Sequence, residues 1–388
     1  MSRLNRLIAE LCPDGVEYKT IRDIVKQNIG GGTPSKANPN YWNGAIPWAS
    51  VKDLIYNGLY ISKTKDHITT EGLKNSSSNI VEQNWLVICT RINPGLCKIA
   101  SCTIAINQDL RGLLLKDEAN VKYVYYFFQT ISITGRGTTV KGVSVDELNR
   151  ITIPLPPLPI QEEIVRILDK FTELETELET ELETELDLRK KQYEYYRDEF
   201  LSFNEEVEWK VLADICENLD KDRKPVTKGL RESGDYPYYG ASEIVDYVKD
   251  YLFDGDFLLV SEDGANLIAR VTPIAFSVSG KIWVNNHAHV LKFKNNIERK
   301  FVEYYLNMID LSRFISTAAQ PKLSQSNLNK IPIPLPPLSE QERIVNILDR
   351  FDKLTNDISV GLPAEIAARH KQYEHYRDSL LSFKEKVS

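Results

Sequence analysis

With 388 residues, 42% of them hydrophobic and 10% aromatic, the chain has material for two or three domains with cores of their own. No apolar run approaches the roughly 18 residues of a membrane span, and no leader-like stretch opens the sequence. The five cysteines (Cys12, Cys89, Cys97, Cys102, Cys216) are odd in number and lack the tight Cys/His pairs of a zinc site, so a cytoplasmic protein with reduced, mostly buried thiols and no metal is expected. The formal charge of −7 is unevenly spread: residues 1–158 carry 18 basic and 13 acidic side chains, 159–191 carry 5 and 11, and 204–330 carry 16 and 19. One acidic stretch thus supplies most of the negative charge, and the first part of the chain is free to meet phosphate.

In chain order, Arg6 to Cys12 matches Arg197 to Phe203, and Val16-Glu17-Tyr18-Lys19 with Ile21, Asp23 and Ile24 matches Val207-Glu208-Trp209-Lys210 with Leu212, Asp214 and Ile215. Between these openings and the next shared segments lie two modules of mixed α/β character. Strand-like runs in the first are Trp85–Cys89 and Thr103–Ile106; in the second they are Phe257–Val260, Ile274–Val278 and Ile282–Val284. Each module closes with an aromatic helix, Tyr123–Phe128 or Phe301–Leu306. Ser144, Leu148, Asn149 and Arg150 then answer Ser324, Leu328, Asn329 and Lys330. The borders repeat while the middles differ, which suits a protein that reads two different things in the same way.

The most exact repeat follows. Ile153-Pro154-Leu155-Pro156-Pro157-Leu158 recurs 180 positions on as Ile333-Pro334-Leu335-Pro336-Pro337-Leu338. Proline keeps each hexamer extended, and helix can begin at Pro159 or Ser339. Ile164, Ile167, Leu168, Phe171, Leu174 and Leu178 form one helical stripe, answered by Ile344, Ile347, Leu348, Phe351, Leu354 and Ile358. From Thr172 to Asp187 four Thr-Glu-Leu-Glu/Asp units place Leu174, Leu178, Leu182 and Leu186 four apart, a spacing that drifts about 40° per step. The equivalent Leu354, Ile358, Leu362 and Ile366 favour an antiparallel coiled coil over a merely solvated acidic helix. Gly361-Leu362-Pro363 should break or bend the second helix, where the first runs on for roughly 65 Å at about 1.5 Å per residue.

Candidate chemistry is thin. Gly30-Gly31-Gly32-Thr33-Pro34-Ser35-Lys36 lacks the lysine–hydroxyl order of a phosphate loop and reads better as a flexible loop near a DNA backbone. Asn38-Pro39-Asn40-Tyr41 lacks the second proline of an amino-methyltransferase motif, and no Gly-rich cofactor loop accompanies it. His287-Ala288-His289 on a strand would put two rings on one face without an evident third metal ligand. Glu262-Asp263-Gly264 reads as an acidic turn, whose carboxylates can also accept from cytosine N4. The sequence looks non-catalytic, and no cofactor is expected.

Two variable modules, each followed by the Pro-rich hexamer and the shared Gln-Glu, Ile-Val and Ile-Leu-Asp helix, closely resemble the specificity subunit of type I restriction-modification systems over essentially the whole chain. The Thr-Glu-Leu-Glu tract is similar to that family's spacer repeats, and Tyr236–Ser242 and Asn285–Val290 look like segments of its target recognition domains. The resemblance implies an α+β fold: two mixed α/β target recognition domains (1–158 and 204–338) separated by a pair of long antiparallel coiled-coil helices (159–203 and 339–388), with an internal pseudo-two-fold repeat. It implies double-stranded DNA with a bipartite site as ligand, the helices as a ruler for the gap, and two methyltransferase subunits plus restriction subunits as partners. Those methyltransferase subunits, not this chain, would use S-adenosylmethionine.

By residue type, DNA contacts are expected from Thr33, Ser35, Lys36, Ser50, Lys52, Arg91 and Gln108 in the first module, and from Arg223, Lys224, Ser242, Glu262, Asn285, Asn286 and His287 in the second. Subunit docking is expected near Gln161, Glu162, Tyr193 and Arg197, and near Gln341, Glu342, Tyr373 and Arg377. Two rivals are a single-chain DNA methyltransferase or nuclease, which would need a complete Asn-Pro-Pro motif, and a coiled-coil scaffold, which would have no reason to carry two matched modules with different middles.

Overall fold

The Pro-rich hexamers lie where a missing amide hydrogen costs least. In a computed structural model, which describes residues 2–56, 58–135, 141–316, 320–357 and 360–386, Thr152–Pro154 pairs antiparallel with Tyr18–Thr20 and Pro332–Leu335 with Glu208–Val211. Both are two-stranded ribbons, so each proline-bearing strand is an edge strand. The chain passes from them into the helices Leu158–Phe200 and Leu338–Asn356.

The fully buried Gln161 secures the first of these corners. Its Nε2 donates to the Pro156 carbonyl at 2.6 Å and the Glu118 carbonyl at 2.9 Å, and its Oε1 accepts from the Asn120 amide at 2.8 Å. In the second copy Gln341 Nε2 donates to the Pro336 carbonyl at 2.9 Å. We expect Gln161→Ala to destabilise the first unit by about 2–3 kcal/mol, because buried backbone groups lose their partner. Thermal denaturation of the variant measures this; an unchanged melting temperature would contradict it.

Contacts divide the chain into two units, Met1–Thr180 with Ile366–Ser388, and Glu181–Glu365. In the first, a five-stranded sheet runs in the order Val25–Gly30, Leu110–Leu115, Leu86–Cys89, Cys97–Ala100, Tyr60–Ile61. A four-stranded sheet runs Asp66–Ile68, Trp42–Ala49, Ile104–Ile106, Asn79–Val81. In the second unit one six-stranded sheet runs Cys216–Asn218, Ala288–Phe293, Phe253–Ser261, Ala275–Val284, Ser233–Tyr239, Ile244–Val248. The runs expected as two strands, Ile274–Val278 and Ile282–Val284, are one strand of ten residues, which Gly280 carries through at φ +86°.

Each module's aromatic helix, Val121–Phe128 or Asn296–Met308, packs on the long-helix segment of its own unit. Tyr126 donates to Asp169 at 2.8 Å, and its counterpart Tyr304 donates to Asp349 at 2.5 Å. Beneath them Ile164 and Leu168 in one unit, and Ile344 and Leu348 in the other, are buried.

The antiparallel helix pairing is present inside each unit. In the first, Phe171 lies 6.0 Å from Tyr376, Thr172 bonds Tyr373 at 2.9 Å and Glu175 pairs with His370 at 2.9 Å, so one helix ascends as the other descends. In the second, Tyr196 lies 5.9 Å from Phe351 and Arg343 sits 5.1 Å over the Phe200 ring. The expected break is also there: helix stops at Asn356 and resumes as Leu362–Leu380. A Cβ on Gly361 would stand 2.5 Å from the Lys353 carbonyl, so the turn needs glycine. Ile358 lies outside the described residues. Leu174 departs from the stripe, at 47% exposure against 8% for Leu182, as a four-residue repeat on a 3.6-residue helix should.

The thiols are free. Cys89 and Cys97 are buried, Cys12 and Cys216 half-buried and Cys102 exposed. Burial pushes Cys89 and Cys216 up to about 12, so both stay protonated. Among the described residues no helix is long and apolar enough to cross a membrane.

Candidate nucleic-acid interface

In each module a parallel strand pair aims one short loop outward. Trp48 and Ala49 run beside Ala105 and Ile106 in the first, and Tyr238 and Tyr239 beside Trp283 and Val284 in the second. The chain then turns through Asn107-Gln108-Asp109 or Asn285-Asn286-His287. The two turns are braced identically. Asn107 donates its amide to the Ala49 carbonyl at 3.0 Å and accepts the Asp109 amide on Oδ1 at 3.1 Å; Asn285 does the same with Tyr239 at 3.2 Å and His287 at 2.8 Å.

A second loop meets each turn. Thr90 donates to the Asp109 carbonyl at 2.9 Å and Glu262 to the His287 carbonyl at 2.8 Å. One residue on, Arg91 bridges Gly142 as Asp263 bridges Lys322. Beyond these, Ile92 donates to the Lys141 carbonyl at 2.8 Å and Gly264 to the Pro321 carbonyl at 3.1 Å. These bonds make Arg91 equivalent to Asp263 and Asp109 equivalent to His287. Both pairs of positions join a nitrogen side chain to a carboxylate: Arg91 Nη1 to Asp109 at 3.4 Å, and His287 Nδ1 to Asp263 at 2.9 Å.

Of the first-module candidates, Thr33, Arg91 and Gln108 come together here; the Thr33 hydroxyl bonds the Gln108 side chain. The glycines before Thr33 form a packed crossing instead of a flexible loop. A Cβ on Gly31 would meet the Ile106 carbonyl at 2.1 Å, and Gly32 accepts from Trp48 Nε1 at 3.1 Å. Ser35 and Lys36 are exposed beyond it. Ser50 starts the short helix Val51–Leu54, and its hydroxyl donates to Asp53 at 2.8 Å; Lys52 is exposed.

In the second module Asn286, His287 and Lys224 are exposed, while Asn285 is the buried brace. Ser242 lies 3.4 Å from the buried Ser261 hydroxyl. Arg223 and Glu262 are set back from the surface. They pair at 2.7 Å with side chains only 12% and 11% exposed, Arg223 also donates to the Ala288 carbonyl at 2.6 Å, and Lys322 holds the other Glu262 oxygen at 3.0 Å. Glu262 is therefore not placed to accept from a base.

His287 and His289 do not share a ligand. His289, fully buried, has Nδ1 2.5 Å from Asp220 and Nε2 2.8 Å from the Leu323 carbonyl, so both nitrogens face acceptors. Asp220, Glu262 and His289 put ligand-type atoms within 4.8 Å of one another, but Arg223 and Lys322 already neutralise that cluster. Burial opposes ionisation of Asp220 and Glu262; the hydrogen bond and charge of His289 on the first, and Arg223 with Lys322 on the second, outweigh it and hold both carboxyls below their usual range. Asp220 and Lys322 were not singled out from sequence, where nothing ties them to residues about 70 and 60 positions away.

The docking candidates separate as well. Gln161 and Gln341 are buried braces, not surface, and Tyr193, Arg197, Tyr373 and Arg377 line the helix seams, each arginine lying over its tyrosine ring at 5.8 and 6.0 Å. Glu162 and Glu342 remain exposed.

The family model for the type I restriction modification DNA specificity domain matches residues 13–188 and again 204–368. The chain is 34% identical over 382 residues to the type I restriction enzyme EcoprrI specificity subunit of Escherichia coli, covering 92% of this chain and 93% of that one. It is 37% identical over 292 residues to the EcoR124I/EcoR124II specificity subunit of Escherichia coli, covering 68% and 71%. A chain solved in work on complex assembly and conformational transition of the type I R-M system superposes with a TM-score of 0.69 over 95% of this chain and 98% of its own, at 16% identity, which speaks for the fold. With two copies of the domain on one duplicated frame, the chain belongs to the type I restriction modification DNA specificity family.

Proposed function

We propose that this chain is the DNA-specificity subunit of a type I restriction-modification assembly, with residues 1–158 and 204–338 as target recognition domains for the two halves of a bipartite site. The observation that carries the reading is the pair of identically braced turns bearing different side chains, Asn107-Gln108-Asp109 and Asn285-Asn286-His287. One backbone frame with two sets of polar tips reads two sequences in the same orientation. The helices 159–203 and 339–388 set the gap, and their exposed acidic faces around Glu162 and Glu342 dock methyltransferase and restriction subunits. Methyl transfer and cleavage belong to those partners, and this chain supplies no catalytic group or cofactor of its own. Exposed Lys36, Lys52 and Lys224 hold phosphate, while Arg91, Gln108, Asn286 and His287 face base edges.

Selection from a random duplex library, with the chain co-purified with its methyltransferase subunits, is expected to enrich a split motif with a fixed gap. Binding should also weaken steeply with salt, since each neutralised phosphate releases counterions. An intact complex that enriches nothing and ignores salt would sink the reading.

A further inference from the structure

The two equivalent nitrogen–carboxylate pairs carry an inference that rests on the DNA-reading function above and narrows it. In the first module the basic partner stands on the loop after the Leu86–Cys89 strand and the acidic one on the turn; in the second the order is reversed. What stays constant is exposure. The basic side chains Arg91 and His287 are 51% and 47% exposed, and the carboxylates Asp109 and Asp263 are 10% and 16% exposed. Each module thus shows an exposed nitrogen group aimed by a largely buried carboxylate, with the sequence position of the two exchanged.

The loop beside the pair is also strained in one module only. Ile92 has φ +72° and is 59% exposed, where its counterpart Gly264 has φ +114°. A β-branched residue in that region costs free energy, and a fold with a glycine solution available in its own second half gains no packing from an exposed isoleucine. Strain of this kind collects where a surface is built for contact.

We propose that Arg91 and His287 are the equivalent specificity-determining side chains of the two modules, and that Asp109 and Asp263 are their positioning residues. Arg91 presents the guanidinium edge that Asp109 leaves open, which fits guanine O6 and N7 in a two-pronged contact. With Nδ1 donating to Asp263 at 2.9 Å, Nε2 is the ring nitrogen of this exposed side chain that remains to meet the exocyclic amino group of adenine or cytosine. Ile92, next to Arg91, adds an apolar surface suited to a thymine methyl.

The test is library selection with the complex of this chain and its methyltransferase subunits, for the wild type, Arg91→Ala, Arg91→Lys, His287→Ala, Asp109→Asn and Asp109→Glu. Arg91→Ala is expected to abolish preference at one base pair of one half-site, a change of about 5- to 150-fold in discrimination, and to leave the other half-site untouched. His287→Ala should relax one base pair in the opposite half-site. Arg91→Lys keeps the charge and loses the fork, so the same base pair should lose its guanine preference while overall affinity holds. Asp109→Asn should weaken discrimination at that base pair with little loss of affinity, and Asp109→Glu should restore it. A motif unchanged by Arg91→Ala, or affinity lowered equally for all sequences, would overturn the assignment while leaving the specificity-subunit reading intact. A wild-type complex that selects no split motif overturns both.

Discussion

Removal of one four-residue unit, Thr176 to Glu179, is expected to shorten the preferred gap between half-sites by about one to two base pairs while both half-site sequences stay as they were. The helix Leu158–Phe200 runs unbroken through the tract, so the deletion has no loop to absorb it. Four residues account for about 6 Å of rise and leave a residual turn of about 40°. Along the duplex about 3.4 Å separates neighbouring base pairs, so the lost rise has to appear as a changed gap or as a distorted complex. Unit deletion also preserves the heptad-like frame better than removal of one, two or three residues would. Leu182 replaces Leu178 in register, and Thr176 and Thr180 each donate to the carbonyl four residues back, at 2.8 and 2.7 Å, so the helix interior reforms unchanged. Library selection on the variant reads the gap directly. The same gap with an intact complex would rule out the helix as a ruler.

His289→Ala should have the largest effect on stability, about 3–5 kcal/mol, because it strips the shortest hydrogen bond from a buried carboxylate and leaves it the Val290 amide and Arg223 at 3.4 Å. Asp220 accepts from His289 at 2.5 Å and from the Val290 amide at 3.0 Å, and it is also the N-terminal residue of the turn that carries Arg223. Losing the ring leaves the Asp220 oxygen that it met facing a cavity and frees the Leu323 carbonyl. Urea unfolding of the second unit should show the shift, and a change under about 1 kcal/mol would contradict the network. The same cluster sets an acid limit. The carboxyls of Asp220 and Glu262 are depressed in the folded state, so their contribution is complete above the ordinary carboxylate range of about 4. It falls away as the pH drops below that range toward their lower folded values. The wild type should therefore lose stability more steeply below about pH 4 than His289→Ala does.

What the sequence made legible was periodic or repeated. Helix starts follow from a 3.6-residue stripe, the interruption at Gly361 from the Gly-Leu-Pro sequence, and the matched aromatic helices from the internal repeat. The fate of single polar residues was less accessible. Residue type points to Arg223 and Glu262 as DNA contacts, yet folding brings Asp220, Ala288 and Lys322 around them and sets them back as a strut. A place on the repeated helices points to Gln161 and Gln341 as docking residues, yet both are buried. Gln161 precedes Val165 and Leu168 by four and seven residues, which puts it on the buried stripe. Asp263 reads from sequence only as part of an acidic turn and Asp109 carries no local signal, because folding brings the nitrogen partner of each from a separate loop.

The first unit is assembled from both ends of the polypeptide, with Val16 donating to Lys384 at 2.9 Å, Tyr18 to Phe383 at 2.9 Å, and Phe171 meeting Tyr376. The second unit is contiguous, Glu181–Glu365. Synthesis therefore finishes the later unit first. A ribosome that has delivered residue 365 has supplied everything the second module needs, while the first still waits for the helix against which Phe171 and Thr172 pack. Contacts across more than 360 positions close slowly, and until they do an aromatic seam stays open to water. The half of the protein made earliest is the half that folds last, which makes it the part most dependent on protection during translation.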